Sequence, residues 1–283
     1  MKDTSYPVLV AENITVRYRK GRQHFTALDN VNVRIPHAAT VGLVGESGSG
    51  KSTLAKAILG LVPITTGRIE LLGQDITHLN GRRRRGLGRS IQAVFQDPNT
   101  SLNPSFTVGR SLIEPLKAQN MLGDIDVDAR VAEVLTAVGM EPDAASRQPR
   151  QFSGGQRQRI SIARALITNP QVVVCDEAVS ALDLSVQAQV LNLLTDLQRE
   201  RGLSYLFISH DMSVVKHICH EVTVLYRGTI KESGPTQQIT TQPADPYTKA
   251  LLLAAPIADP VVQRQRQRPT SAVPAPSRTS LIS

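Results

Sequence analysis

Residues 41–61 constrain this chain more than any other stretch. An apolar run, 41–44, leads into Gly45-Glu46-Ser47-Gly48-Ser49-Gly50-Lys51-Ser52, and residues 52–61 then carry helical spacing. Strand, glycine-rich loop and helix in that order commit the chain to an α/β layout. The loop fits the pattern G-x-x-x-x-G-K-[ST]. Glycines let successive backbone N–H groups curl inward as an anion nest, and the helix that follows presents its N-terminus to the same point. Lys51 adds a point charge for β- and γ-phosphates, and the Ser52 hydroxyl is a ligand for Mg²⁺. The pattern predicts a nucleotide whose phosphates lie on residues 45–53, Thr53 included.

The rest of the chain extends this layout. Residues 8–18 alternate apolar and polar side chains and read as a strand, 19–26 are polar and basic and read as a loop, and 31–35 alternate again. Residues 69–72 look like a strand. Residues 97–150 carry Pro98, Pro104, Pro115, Pro142 and Pro149 around helical stretches at 108–119 and 130–138, and read as a mainly helical insert. Helical spacing resumes at 160–167 and 186–197, with strand-like runs at 172–175, 203–209 and 222–226. Strands alternating with helices imply a largely parallel sheet covered on both faces, with ligands outside the carboxyl ends of its strands. Beyond Pro256 the composition is that of a disordered tail.

Composition narrows the function. A 283-residue chain that is 41% hydrophobic has room for one large domain with a smaller inserted lobe. With 4% aromatics and no Trp, it is poorly equipped to stack single-stranded nucleic acid. The spacing of Cys175 and Cys219 fits neither a zinc site nor a disulfide framework, so a reducing cytoplasm is expected. The first seven residues lack the apolar stretch of a secretory signal. Apolar runs such as 250–255 fall well short of the ~20 residues of a membrane span, so a membrane role is expected to come through a partner. The net charge of +8 gathers at Arg82, Arg83, Arg84, Arg85 and Arg89 and, in the tail, at Arg264, Arg266, Arg268 and Arg278. A solvated loop and tail is the simpler reading of that excess, and no nucleic-acid partner is expected.

The apolar run 172–175 ends in Asp176-Glu177. Downstream of a phosphate loop, Asp176 would hold Mg²⁺, through water since that ion takes few carboxylates, and Glu177 would orient the attacking water. Cys175, on the strand, reads as a small core residue.

Gln151-Phe152-Ser153-Gly154-Gly155-Gln156 offers a serine hydroxyl and two small residues at a helix start, a second anion-binding helix end. It closely resembles the LSGGQ segment of the ABC ATPases, with Phe152 in place of leucine. The resemblance implies that Phe152, Ser153, Gly154, Gly155 and Gln156 meet the γ-phosphate of ATP held by an opposite subunit. Other family elements follow in order. Gln96, after the apolar Ala93-Val94-Phe95, is similar to the Q-loop glutamine that senses Mg²⁺ and water. Ser180-Ala181-Leu182-Asp183 resembles the D-loop, with Asp183 reporting across the interface. His210 fits the switch histidine at the γ-phosphate. Tyr18 is the aromatic expected on adenine, with Phe25 its rival.

The resemblance covers residues 8–256. It implies a P-loop NTPase fold: a RecA-like α/β core with a mixed or parallel sheet, an N-terminal antiparallel β part, and an inserted helical subdomain at about 97–166. Residues 257–283 would be tail. Val94-Phe95-Gln96-Asp97-Pro98, Ser101-Leu102-Asn103-Pro104 and Asp245-Pro246-Tyr247-Thr248-Lys249-Ala250-Leu251-Leu252 resemble the oligopeptide/dipeptide/nickel importer branch, Asp245 replacing its usual histidine. These stretches show no ATP chemistry of their own. The branch implies a second, unlike ATPase subunit, two membrane-spanning permease subunits and an extracytoplasmic binding protein, with this chain peripheral at the cytoplasmic face. Peptide cargo is expected, with nickel or a metal chelate as the alternative. The cysteine cluster of some branch members has no counterpart after residue 252, so no iron–sulfur centre is expected. A soluble ABC ATPase acting on nucleic acid or ribosomes is the rival, and the lack of heptad runs and of a second nucleotide motif set weighs against it.

Overall fold

Strict alternation along the central strands sends side chains to two cores. In β7 (Val172–Asp176), Val172 and Val174 pack into one and Val173 and Cys175 into the other. In β8 (Ser204–Ile208), Leu206 and Ile208 go one way, Tyr205 and Phe207 the other. Strands apolar on both faces are what a sheet covered on both sides requires. A computed structural model of the chain describes residues 6–254 apart from 22, 80, 98–100 and 124.

Among the described residues the strands form two sheets. β1 (Leu9–Lys20), β2 (Gln23–Ile35), β4 (Thr66–Leu71) and β5 (Gln74–Asp75) make an antiparallel sheet in the order β2-β1-β4-β5. The second sheet runs β10-β9-β3-β8-β7-β6, adding β3 (Thr40–Val44), β6 (Ile91–Phe95), β9 (Glu221–Tyr226) and β10 (Thr229–Pro235). Its strands β6, β7, β8, β3 and β9 are parallel, and β10 returns antiparallel to β9. One core, with Leu9, Ile14, Leu28, Leu43, Leu54 and Leu206, fills the space between the sheets and around α1 (Lys51–Leu59). The other lies beneath α3 (Val108–Ala118), α4 (Val127–Ala137), α5 (Gly154–Leu166) and α6 (Leu184–Arg201).

Two expectations are corrected. Residues 19–26 are not a loop. β1 and β2 pair down to Lys20↔Gln23, and the turn is confined to the tip, where Gly21 has φ 62°. Gln23, His24, Phe25 and Thr26 are all exposed, so the arm has no buried face to impose alternation and is carried by its backbone ladder. Nor are the arginines at 82–85 a solvated loop. Gly81–Gly86 forms a short helix, α2, and the half-buried Arg84 donates to the carbonyls of Ile76 (3.1 Å), Ile58 (3.4 Å) and Ala57 (3.5 Å), the last two at the C-terminal end of α1. A cation there meets carbonyls of the last turn and the negative end of the helix dipole. Arg83 and Arg85 remain exposed, and Arg89 donates to the Gln119 carbonyl at 2.8 Å. The arginines of the tail lie outside the described residues. No described helix is long and apolar enough to cross a membrane.

Candidate functional site

The carboxyl ends of β3, β8, β7 and β6 lie side by side, and each runs into a segment singled out above. Register fixes the alignment: Phe95 and Ile208 both pair with Asp176. Gln96, Glu177 and His210 therefore follow adjacent strand ends.

The loop after β3 is shaped by contacts only glycine tolerates. Gly45 has φ 148°, and a Cβ there would strike the Leu225 carbonyl. Gly50 has φ 111°, and its Cβ would lie 2.8 Å from the Ala27 carbonyl. α1 starts at Gly50 with no capping side chain and no acid in its first turn. By contrast Thr107, Asp126, Ser153 and Asp183 cap α3, α4, α5 and α6. The free N–H groups of α1 thus face the loop, where an anion would satisfy them. Lys51 is only 6% exposed, and its ammonium donates to the Gly45 carbonyl at 2.7 Å and the Glu46 carbonyl at 2.8 Å. Burial lowers its pKa, opposed by the nearby Glu177, Asp176 and Glu46.

The Ser52 hydroxyl donates to Asp176 Oδ1 at 3.4 Å across the sequence gap between loop and strand. Burial raises the Asp176 pKa, with the Ser52 bond pulling the other way. One carboxylate and one hydroxyl are hard oxygen donors of the kind Mg²⁺ takes. No group of three or more His, Cys, Asp or Glu among the described residues offers a competing metal site.

Glu177 holds a left-handed backbone, φ 51°. Its N–H donates to the Ile208 carbonyl at 3.0 Å, and its own carbonyl accepts from the Ser180 N–H (3.1 Å) and hydroxyl (3.0 Å). An uncommon conformation fixed from both sides of the peptide is the kind of local strain that functional sites retain. His210 Nδ1 lies 3.3 Å from Glu177 Oε1. The histidine expected at a phosphate thus touches the carboxylate expected to orient water.

The Ser153–Gln156 segment opens α5 as a reciprocal cap: Ser153 Oγ accepts from the Gln156 N–H at 3.3 Å, and Gln156 Oε1 accepts from the Ser153 N–H at 2.9 Å. Phe152 is buried beneath, while Ser153, Gly154 and Gln156 are exposed. The two glycines differ. A Cβ on Gly155 would strike Val186 of α6, whereas nothing lies within 4 Å of a Cβ on Gly154. Asp183 caps α6 by accepting from the Val186 N–H (3.0 Å) and the Ser185 hydroxyl (3.0 Å), bonds that hold its carboxyl below the ordinary value. Tyr18 and Phe25, the two rivals for adenine, are cross-strand partners and so share one face near the hairpin tip, 38% and 62% exposed. Phe25 stands two residues before Ala27, whose carbonyl lies against Gly50.

Two groups on the phosphate loop escaped sequence reasoning. The Gly228 N–H donates to the Ser49 carbonyl at 2.8 Å, and Tyr247 Oη accepts from the Glu46 N–H at 3.1 Å. The Asp245–Leu252 stretch signalled Tyr247, but nothing local in it pointed to a loop 201 residues earlier.

The profile of the ABC transporter family matches residues 28–180, more than half of the chain. The chain belongs to that family. Among ABC proteins it is similar to the glutathione import ATP-binding protein GsiA of Pectobacterium atrosepticum, 47% identical over 281 residues, covering 96% of this chain and 45% of that protein. GsiA of Escherichia coli K12 is 48% identical over 270 residues, covering 93% of this chain and 43% of the other. The chain therefore spans less than half the length of these relatives. Two solved ABC structures share the fold. The ATP-binding cassette MJ0796, a dimer in a post-hydrolysis state bound to ADP and phosphate, has a TM-score of 0.72 at 30% identity over 81% of this chain and 98% of its own. CbiO1 from Clostridium perfringens, part of the transporter complex CbiONQ, has a TM-score of 0.74 at 27% identity over 84% and 92%.

Proposed function

We propose that this chain is the ATP-binding and hydrolysing subunit of an ABC importer that takes up short peptides. The observation that carries the reading is the convergence, on adjacent strand ends, of the buried Lys51, the Ser52–Asp176 pair and the Glu177–His210 pair. Peptide cargo is favoured by the GsiA relatives, named for importing glutathione, itself a tripeptide.

In this reading the phosphates of ATP lie on residues 45–53 with Lys51 at the β- and γ-phosphates, and adenine rests on the Tyr18–Phe25 face. Ser52, Asp176 and Gln96 would hold Mg²⁺, which when bound neutralises charge on the phosphate oxygens. Glu177 accepts a hydrogen bond from a water in line with the γ-phosphorus. The water oxygen bonds to phosphorus as the bond to the β–γ bridging oxygen breaks, giving ADP and phosphate. His210 holds the Glu177 carboxylate in place. The exposed Ser153–Gly154 face points to completion of each site by a second ATPase subunit, for which the MJ0796 dimer is the precedent. Such a subunit, alike or unlike, closes the site against water in a gating step. The helical insert, residues 97–150, receives the permease subunits, an extracytoplasmic binding protein delivers the cargo, and this chain stays peripheral on the cytoplasmic side.

Glu177→Gln tests the reading. It should retain ATP while turnover falls by about a hundredfold or more, and with ATP and Mg²⁺ it should co-purify from gently solubilised membranes with membrane-spanning subunits. Parental turnover would refute the role of Glu177, and recovery of ribosomes or nucleic acid alone would refute the transport role.

A further inference from the structure

We infer that Tyr247 is a positioning residue of the nucleotide site, acting through Glu46 on Lys51; the inference rests on the ATP-binding reading above. Glu46 is the hinge of the argument. Its N–H donates to Tyr247 Oη at 3.1 Å. Its carbonyl accepts from Lys51 Nζ at 2.8 Å and from the Ser49 N–H at 3.2 Å. A tyrosine hydroxyl far along the chain therefore tethers, from outside the loop, the residue whose carbonyl aims the phosphate-binding ammonium.

The residue that carries the hydroxyl is held in three ways. Asp245 Oδ1 accepts from the N–H groups of Tyr247 (2.7 Å) and Thr248 (3.4 Å), capping α9 (Pro246–Ala254). Aspartate does this well, which gives a physical role to the residue that replaces histidine here. Upstream, the Glu232 carboxylate on β10 accepts from the N–H groups of Ala244 (2.8 Å) and Asp245 (3.2 Å), pinning the chain before the helix. The Tyr247 ring packs on Tyr226 with centroids 4.3 Å apart at 42°. Tyr226 follows Leu225, whose carbonyl is the wall against Gly45. Ring, cap and strand thus fix where the hydroxyl sits, and its bond to Glu46 restrains a loop whose exposed residues, Glu46, Ser47 and Gly48, have little packing of their own. A half-buried tyrosine needs a partner for its hydroxyl in any fold. What sets this one apart is that the partner's carbonyl carries Lys51.

Tyr247→Phe removes the hydroxyl and leaves the ring on Tyr226. The measurement is ATP affinity by titration calorimetry on the full-length purified chain with Mg²⁺, beside its melting temperature without nucleotide. The parent should bind ATP, and Tyr247→Phe should raise the Kd about three- to tenfold as the loop loses its preorganisation, with its nucleotide-free Tm lowered by no more than about 4 °C, the worth of one hydrogen bond. Asp245→Ala keeps the hydroxyl but frees the start of α9, and should weaken ATP in the same direction. Parental Kd in Tyr247→Phe would overturn the inference while leaving the nucleotide site standing. A lowered nucleotide-free Tm with parental affinity would also overturn it, as a purely structural role. Failure of the parent to bind ATP would overturn the nucleotide reading and this inference together.

Discussion

At the scale of single residues, the charges that make the site useful oppose the fold that holds them. Burial lowers the Lys51 pKa and raises that of Asp176, so each charged form is less favourable in the folded chain than in the unfolded one. For Asp176 the sign follows from linkage. A carboxyl whose folded pKa is raised binds its proton more tightly in the fold, so its contribution to stability falls as pH rises from the ordinary carboxylate value through the raised one. Asp176→Asn, neutral and nearly isosteric, should therefore melt higher than the parent without nucleotide or metal at neutral pH. That difference should shrink as pH falls through the raised folded value and be gone by about 4, where the carboxyl is protonated in the unfolded chain as well. Mg²⁺-dependent turnover should be lost. A neutral-pH Tm equal to or below the parent's would show that Asp176 carries no such penalty. Glu177 adds backbone strain to this opposition, restrained by Ile208 and Ser180.

At the scale of elements, the segment that opens α5 separates packing from contact. Gly155 is backed by Val186 of α6, so Gly155→Ala should cost about 1–3 kcal/mol of stability by overpacking, read in a denaturant melt. Gly154 faces open space, so Gly154→Ala should leave that melt unchanged and instead slow ATP turnover once subunits assemble. Equal melts for the two variants would remove the distinction. The same elements show what local sequence can carry. The phosphate loop and the Asp176-Glu177 pair were legible because their chemistry lies in consecutive residues flanked by apolar strands. The family named from the 151–156 segment is the one to which the chain belongs. The hairpin arm at 23–26 was not legible, because a strand exposed on both faces has no alternation to read. Arg84 was misread because two of its three acceptors lie 26 and 27 residues back on α1, and Tyr247 was passed over because its partner lies 201 residues away. Pattern reports what neighbours along the chain do; Arg84 and Tyr247 depend on neighbours in space.

At the scale of the molecule, the exposed Ser153–Gly154 face and the phosphate loop each await a facing subunit in the proposed mechanism. Turnover per chain should then climb with total chain concentration and level off once assembly is complete. A specific activity that stays flat over about a hundredfold dilution, below any plausible dissociation constant, would sink the shared site.

The order of strands also dictates when a site can exist. β3 lies between β8 and β9, with Thr40 opposite Tyr205 and Val44 opposite Val224. A ribosome releases the phosphate loop well before either flank of its strand, since β8 and β9 emerge only with residues 204–208 and 221–226. In that interval the nascent chain carries a complete nucleotide motif with no wall behind it. Non-local pairing of this kind folds late and leaves sticky strands waiting. Premature termination between Thr53 and Val224 would yield a fragment bearing the motif but lacking the full grip, and one that chaperones and proteases would meet as unfinished.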